Sequence, residues 1–242
     1  YTKQYLSLYY KWFNKFRDSL FSNLIYSDYN NNFQYIDASI PKLPKYFGLS
    51  ILKKLTNSNN RFISNEFTAT TKSVLYYFRA VQYWIKILDK KPIFIENGRE
   101  KTTSEMKPVY LNNEEEKHIV ISVLSSTLFF LHYIIWASCQ VINSRDFIFP
   151  FSIESINKEL KNKLVELGSI LQDDYQNNSK ILIRNYSSKG RVFEMKKQHY
   201  YIKKSKHIID EIDKVLAEHY GFTEEELDFI INYDIKYRMG KS

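Results

Sequence analysis

The feature that most constrains this chain is an uncharged stretch, residues 118–144, in which no Asp, Glu, Lys or Arg occurs over 27 consecutive positions. Such a stretch must be buried, and its length alone would suffice to cross a bilayer. Its polar residues indicate a different environment, because at helical periodicity they fall on one narrow face. They are His118, Ser122, Ser125, Ser126 and His132. Asn113 and three glutamates form a helix start signal just before the stretch. We therefore expect one long helix in the core and no membrane segment.

The pattern changes from helical to strand-like after residue 70. Asn97-Gly98 is a strong turn signal there, and Ser188-Lys189-Gly190 is a second turn with strand-like sequence on both sides. The predicted strands, which are rich in β-branched and aromatic residues, are 74–78, 82–88, 92–95, 109–111, 181–186 and 191–202. The last two form a predicted β-hairpin.

Other segments carry helical spacing or helix caps. Apolar residues three and four apart predict helices over 12–24, 49–55 and 156–171. Near the C-terminus, Ser205 can cap a helix that ends at Gly221, and Thr223-Glu224-Glu225-Glu226 is a capping box for a final helix. Because strands and helices segregate, the expected fold class is α+β, with mixed strands, a long buried central helix and a C-terminal helical pair.

The expected organisation is one domain over residues 1–242. Its sub-parts are a helical segment 1–60, a mixed α/β core 61–202 and a helical pair 203–242. The chain opens at Tyr1 without Met and without a signal-peptide pattern, which suggests a piece of a longer protein. The single Cys139 excludes an internal disulfide framework, so we expect a reducing, cytoplasmic location.

Positive charge is concentrated in one part of the chain, which has a formal net charge of +8. Between residues 180 and 206, Glu194 is the only acidic residue, and the basic residues are Lys180, Arg184, Lys189, Arg191, Lys196, Lys197, Lys203, Lys204 and Lys206. A block of this kind is typical of proteins that bind polyanions, although it can also be a solvated face. The 20 Tyr residues suit a polar interface, and they are equally typical of AT-rich coding sequence.

Motifs for catalysis are missing. There is no Asp-Pro-Pro-Tyr-like loop of an amino-methyltransferase and no Gly-x-Gly turn to hold a nucleotide or S-adenosylmethionine. The five His residues form no metal pair at helical spacing, and one Cys makes a structural zinc site improbable. Three Glu-x-Lys triplets, at 105–107, 159–161 and 194–196, leave a metal-dependent nuclease as a minor alternative. We predict no catalytic residue, metal ligand or cofactor site in this chain.

Several strings resemble a known family in the right order. They are YYKWFNKFRDSLF, IPKLPKYFGLSILKKL, YYFRAVQYWIKILDKKPIF, SSTLFFLHYIIWASCQVINSRDFIFPF and SKHIIDEIDKVLAEHYGFTEEELDFIINYDIKYRMG, which together cover most of the chain. They resemble the C-terminal part of adenine-specific DNA methyltransferases of restriction-modification systems, especially the type IIG class. His207 stands where that family usually has Pro. Residues 56–75 and 96–110 match nothing in the family, as a region that sets individual specificity would.

The resemblance implies a DNA target recognition domain, comparable to the specificity half of TaqI-like methylases. The expected partners are double-stranded DNA and the methylase domain of the same polypeptide, which would lie upstream of Tyr1. S-adenosylmethionine would bind that methylase domain and not this chain. The expected function is to position an N6-adenine methylase on its target sequence, with or without an endonuclease in the parent protein.

Candidate DNA contacts follow from side-chain chemistry. Guanidinium can bond guanine O6 and N7 together, and an amide can do the same for adenine. The base-contact candidates are Arg79, Gln82, Asn97, Arg99 and Arg145. The phosphate-contact candidates are Lys72, Lys86, Lys101, Lys180, Arg184, Lys189, Arg191, Lys196, Lys197, Lys203 and Lys204. Each could instead belong to a surface ion pair or a turn, and Tyr76, Tyr77, Tyr83 and Trp84 could be core or stacking residues.

The alternative to a DNA-binding function is a scaffolding role, in which the chain binds a protein. In that interpretation the aromatic N-terminal helix and the acidic final helices bind a protein, and DNA is incidental. Retention on DNA with a sequence preference would separate the two functions.

Overall fold

The computed structural model describes residues 5–7, 26–28, 41–42, 47–58, 61–81, 83–137, 140–188 and 191–240. The helices are α1 (Phe47–Ser58), α2 (Glu114–Ser125), α3 (Thr127–Trp136), α4 (Lys158–Asn177), α5 (Lys206–Tyr220), α6 (Glu224–Ile231) and α7 (Ile235–Arg238). The strands are β1 (Tyr5–Ser7), β2 (Tyr26–Asp28), β3 (Ser73–Phe78), β4 (Ile87–Leu88), β5 (Phe94–Glu96), β6 (Arg99–Glu100), β7 (Met106–Leu111), β8 (Ser179–Ser188) and β9 (Arg191–Tyr200). The helix predicted over 12–24 lies outside the described residues, as do Gln82, Cys139, Lys189 and the side chain of Arg191.

The strands form antiparallel sheets, and the α+β class is confirmed. One sheet has the order β4-β3-β7, a second has the order β6-β5-β9-β8, and β1 pairs with β2. Buried and half-buried residues alternate along β3, which is the pattern of a strand with one face against the core. Helices α2, α3, α4 and α5 supply much of the buried apolar surface around that sheet.

The uncharged stretch is buried as expected, but the prediction of one long helix is wrong. Helices α2 and α3 are separate and bend by 62° at a break between them. Ser126 at the break has extended backbone angles, and its Oγ accepts a hydrogen bond from the N–H of Phe129, so it caps α3. Among the described residues, no single helix has the length and apolar character to cross a membrane. Helices α2 and α3 reach that length and apolar character only when they are taken together across the bend.

A buried carboxylate explains why the break is stable. Asp213 on α5 accepts hydrogen bonds from the N–H groups of Thr127 and Leu128, at 3.1 and 3.0 Å. Arg238 donates from Nη1 to Oγ1 of Thr127 at 3.0 Å. The first turn of a helix has unpaired N–H groups and a positive dipole end, and an anion there satisfies both. The start of α3 is therefore fixed by residues that are distant in sequence.

Glycine at position 168 lets α4 approach α2 closely. A Cβ atom placed there would lie 2.3 Å from the backbone oxygen of His118 and 2.8 Å from Oγ of Ser122. Ser122 also donates its hydroxyl hydrogen to the Leu164 carbonyl at 2.7 Å. The narrow polar face predicted for this stretch thus includes the contact between two helices.

The C-terminal helical pair is confirmed, with one difference at its start. Gly221 ends α5 in the left-handed region at φ 65°, and Thr223 and Glu226 form the predicted capping box. Ser205 precedes α5 but makes no side-chain cap. It lies at the end of the 3-10 helix Ile202–Ser205 with ψ near 10°, and not in the extended conformation that a serine cap requires.

The strand predicted over 82–88 is reduced to the two residues of β4. Trp84 instead packs on the C-terminal segment: its Nε1 donates to the Arg238 carbonyl at 2.9 Å, and the Arg238 guanidinium lies 4.0 Å from the Trp84 ring centroid. A tertiary contact overrides the strand propensity of this segment. Trp84 and Tyr77, two of the aromatics left open above, therefore belong to packing interactions.

His132 gives the protein a defined response to acid. It is buried, neither ring nitrogen has a hydrogen-bond partner among the described residues, and burial lowers its pKa to about 3. Because the folded pKa lies below the unfolded value near 6.5, this contribution to stability is complete above pH 6.5 and falls as the pH drops toward 3. Burial raises the pKa of Asp213 to about 6, which acts in the opposite direction between pH 6 and 4.

We therefore expect His132→Leu to reduce the acid sensitivity of the fold. Between pH 7 and pH 5, the wild type should lose about 2 kcal/mol more unfolding free energy than the variant. Urea unfolding at the two pH values measures this difference. His207→Asn provides the control, because it removes a histidine at an exposed position on the first turn of α5 and leaves the core unchanged. Equal acid sensitivity in wild type and His132→Leu would contradict a buried neutral imidazole.

Candidate nucleic-acid interface

The basic block forms a long two-stranded ribbon. Strands β8 and β9 pair continuously from Ser179 opposite Tyr200 to Ser188 opposite Arg191. Ten residues of strand span about 33 Å. Tyr200 at the base of the ribbon is buried in the core, whereas Ile183 and Val192 are 58% and 72% exposed. The ribbon therefore extends from the core into solvent, and β5 pairs with the middle of β9, at Met195, Lys196 and Lys197, so that β5 and β6 widen the ribbon there.

The register places most of its cations on one face. Directly opposed residues in antiparallel strands share a face, so side chains form rows across the sheet. One row contains Arg99, Glu96, Met195 and Arg184, the next contains Lys101, Phe94, Lys197 and Leu182, and the third contains His199 and Lys180. We call the surface formed by Arg99, Lys101, Lys180, Arg184, Lys197 and His199 the basic face; its five Lys and Arg side chains are all exposed.

Aromatic rings lie among these cations. Tyr186 and Phe193 stack with ring centroids 5.8 Å apart, next to the row that contains Arg184. Nζ of Lys197 lies 5.1 Å from the Phe94 centroid and 5.7 Å from the Tyr186 centroid. Rings hold the lysine stem along the surface while the ammonium group stays accessible to an anion. Interleaved cations and rings are typical of surfaces that contact phosphates and bases.

Two cations lie near enough to His199 to affect its pKa. Burial is the main cause that lowers the pKa of His199, and the charges of Lys86 and Arg184 lower it further. Lys86 is half-buried, its own pKa is lowered by burial, and its Nζ lies 5.3 Å from the Phe78 ring centroid. A bound anion would reverse this effect and favour protonation of His199.

The opposite face of the ribbon has a different character. Lys196, although adjacent to Lys197, points to this side and pairs with Glu194 at 3.4 Å. Ile181 and Ile183 lie on the same side and are largely exposed. The sequence analysis predicted both Lys196 and Lys197 as phosphate contacts, but the strand register places their side chains on opposite faces of the ribbon.

Asn97 is part of the turn that attaches β5 and β6 to the ribbon. Asn97 and Gly98 have φ values of 47° and 76°, as a two-residue hairpin turn requires. The Asn97 backbone N–H donates to the Glu194 carbonyl, and its Oδ1 accepts from the Glu194 N–H, both at 2.9 Å. A bidentate contact between Asn97 and adenine would have to replace that second hydrogen bond. Arg99 at the next position is exposed on the basic face.

Arg79 and Arg145 belong to a different part of the surface. Nη2 of Arg79 donates to Oδ1 of Asn143 at 3.3 Å, and its backbone N–H donates to Glu105 at the start of the β7 segment. Arg145 is exposed in the short 3-10 helix that begins one residue after Asn143. These two arginines therefore lie near the end of β3 and not on the four-stranded sheet.

The remaining candidates are peripheral. Lys72 is exposed just before β3. Lys203 and Lys204 follow β9 in a 3-10 helix, where Nζ of Lys203 donates to the Met239 carbonyl at 3.3 Å and Nζ of Lys204 lies 5.7 Å from the Tyr201 centroid. Sequence reasoning missed His199, Phe94 and Tyr186 as members of the basic face, because only the strand register shows that they share it.

The Glu-x-Lys triplets are dispersed over separate elements. Glu105 precedes β7, Glu159 lies on α4 in an ion pair with Lys163, and Glu194 lies on β9 in an ion pair with Lys196. Within the described part of the chain, no three His, Cys, Asp or Glu side chains converge as a metal site requires.

No family model, no curated protein and no solved structure matches this chain. The resemblance to DNA methyltransferases stays a prediction.

Proposed function

We propose that this chain recognises double-stranded DNA through the basic face of its β-ribbon. The observation that supports the proposal is the register, which collects five exposed cations and three aromatic rings on one side of four strands. Phosphate contacts from these cations would supply salt-sensitive affinity. The proposal includes the role implied by the resemblance: a non-catalytic, cytoplasmic recognition part that positions an N6-adenine methylase domain, to which S-adenosylmethionine would bind.

The shape of the ribbon is compatible with duplex DNA. The basic face is four strands wide, about 14 Å from β6 to β8, so its long side chains can reach phosphates and base edges across a major groove that is about 12 Å wide. Arg99 and Arg184 lie at the two ends of one row, and Lys197 lies in the next row between aromatic rings. Guanidinium suits the edge of guanine, and ammonium discriminates poorly between bases. We infer that Arg99 and Arg184 read bases and that Lys101, Lys180 and Lys197 contact phosphates.

One observation favours the scaffolding alternative. A groove beside α6 is lined by the rings of Phe47, Phe229 and Tyr233 and by acidic side chains, including Glu224 and Asp228. An acidic, aromatic groove repels DNA and could accommodate a basic segment of a protein. If DNA binding is absent and a partner protein is retained through α6, this second function replaces the first.

Two adjacent lysines on opposite faces provide the sharpest test. Lys197→Ala removes an exposed cation from the basic face, whereas Lys196→Ala makes the same chemical change one residue away on the other face. We expect Lys197→Ala to weaken duplex binding about three- to tenfold and to reduce the salt slope by about one unit. Lys196→Ala should change affinity less than about twofold. Fluorescence anisotropy with a labelled duplex measures both quantities.

Two outcomes with these variants would contradict the proposal. Equal losses from Lys196→Ala and Lys197→Ala would mean that the ribbon attracts DNA only by its total charge. A larger loss from Lys196→Ala would place the interface on the opposite face.

A further inference from the structure

Strand β8 is a long edge strand in the described part of the structure. It is the last strand in the order β6-β5-β9-β8, and no described strand pairs with its outer side. All ten of its residues are in register with β9, and it contains neither proline nor a bulge. Natural edge strands are commonly protected by short length, charged side chains, proline or bulges, because an open edge is a template for another strand. Of these devices, β8 has only the charges of Lys180 and Arg184, and both lie on the basic face.

Two hydrogen bonds identify the backbone groups that face outward. The Tyr201 N–H donates to the Asn178 carbonyl at 3.0 Å, and the Gln198 N–H donates to the Ile93 carbonyl of the β5 segment at 2.9 Å. Backbone groups alternate in direction along a strand. Even-numbered residues of β8 therefore bond to β9, and the N–H and C=O groups of 179, 181, 183, 185 and 187 point to the open edge.

The same edge carries apolar side chains that the fold does not cover. Ile181 and Ile183 are 53% and 58% exposed. They lie on the face opposite the basic face. A long edge strand that exposes apolar side chains on one face is a site where β-strand addition is expected.

Charge and register determine which strand fits there. If a second β8 pairs antiparallel about a two-fold axis at Ile183, the two Ile183 residues oppose each other, Lys180 opposes Tyr186, and Leu182 opposes Arg184. The outward backbone groups then meet in pairs and form about ten hydrogen bonds. An axis at Leu182 would instead place Lys180 directly opposite Arg184 at two positions, and opposed like charges are destabilising.

We propose that two copies of this chain associate through β8, in the antiparallel register centred on Ile183. The pairing joins two four-stranded sheets into one sheet of eight strands with a single two-fold axis. It leaves the basic face of each copy on the same side of the combined sheet. The association does not depend on the proposed DNA function, and it can be tested without DNA.

The test uses two changes at Ile183 and one control. Ile183→Pro removes an N–H that points outward and so preserves the hydrogen bonds between β8 and β9. Ile183→Lys places two ammonium groups together at the axis. Val192→Lys makes the same change on β9, away from the edge, at a residue that is even more exposed. Sedimentation equilibrium over a wide concentration range reports the mass of each protein.

For the wild type, we expect the average mass to rise with concentration from 29.1 kDa toward twice that value. Val192→Lys should behave in the same way, and both Ile183 variants should weaken association at least about tenfold. A wild type that stays monomeric at the highest concentration overturns the proposal. Dimerisation of both Ile183 variants at wild-type strength also overturns it, as does an equal loss in Val192→Lys, which would indicate nonspecific apolar association.

Discussion

Gly168→Ala is expected to destabilise the protein by about 2–4 kcal/mol, although alanine is the better helix former. Helix propensity alone predicts a gain of about 0.5–1 kcal/mol for this change inside α4. The added methyl group would lie 2.3 Å from the His118 carbonyl oxygen, and a backbone atom cannot rotate away as a side chain can. Helices α2 and α4 must therefore separate, and the contacts between them weaken.

Ser169→Ala is the matched control, because residue 169 is exposed on the same helix. It should leave the free energy of unfolding within about 0.5 kcal/mol of the wild type. Chemical denaturation followed by circular dichroism measures both variants. A Gly168→Ala protein that is as stable as wild type, or more stable, would show that α2 and α4 are not in close contact.

Asp213→Ala should cost about 3–5 kcal/mol. The substitution leaves the N–H groups of Thr127 and Leu128 without their acceptor at the start of α3. It also removes a negative charge that favours the charged form of the buried Arg238. Burial is the main cause that lowers the pKa of Arg238, and Asp213 is the largest of the charges that raise it. Unpaired buried donors and the loss of the strongest charge partner of a buried cation are among the larger penalties a single substitution can cause, although Arg238 keeps the weaker influence of Asp210 and Asp234.

Asp210→Ala on the same helix provides the comparison. Asp210 pairs with Lys206, one helical turn away, at 2.6 Å, and ion pairs at this spacing on one helix contribute only about 0.5 kcal/mol or less. We expect a loss below about 1 kcal/mol there, and an intermediate loss for Asp213→Asn, which keeps an acceptor oxygen but no charge. Unfolding free energies in which Asp210→Ala and Asp213→Ala are equal would contradict the role of Asp213 as the cap of α3.

Local signals predicted the elements that depend on neighbours in sequence. The start of α2 at Asn113, the turn at Asn97-Gly98 and the end of α5 at Gly221 all occur where the sequence places them. Each depends on a cap or a positive φ angle, which residue type largely decides. The β8–β9 hairpin belongs to the same group, because a turn signal between two strand-like runs specifies it.

The break between α2 and α3 depends on distant residues and could not be predicted in this way. Ser126 occupies a continuous apolar pattern, and its role as a cap becomes evident only when Asp213 and Arg238 are placed beside Thr127. A periodicity argument detects burial of the stretch but not a change in its direction.

The candidate site was predicted in composition but not in geometry. The basic block indicated a polyanion partner, and the register then divided that block, with Lys197 on one face and Lys196 on the other. Arg99 joins the basic face from another part of the chain, because β5 pairs with β9. Strand pairing of this kind is long-range information that single-sequence patterns do not contain.

The most direct test of the central claim is the salt dependence of duplex DNA binding by this chain. On a duplex without a target sequence, Arg99 and Arg184 have no base to read, and all five exposed cations of the basic face contact phosphates. The logarithm of affinity should then fall with the logarithm of salt concentration with a slope of about −4. Affinity should then drop about a hundredfold or more between roughly 50 and 200 mM salt. Lys197→Ala should flatten the slope and Lys196→Ala should not. An affinity that is absent, or constant across that range, would contradict a DNA-binding role for the ribbon.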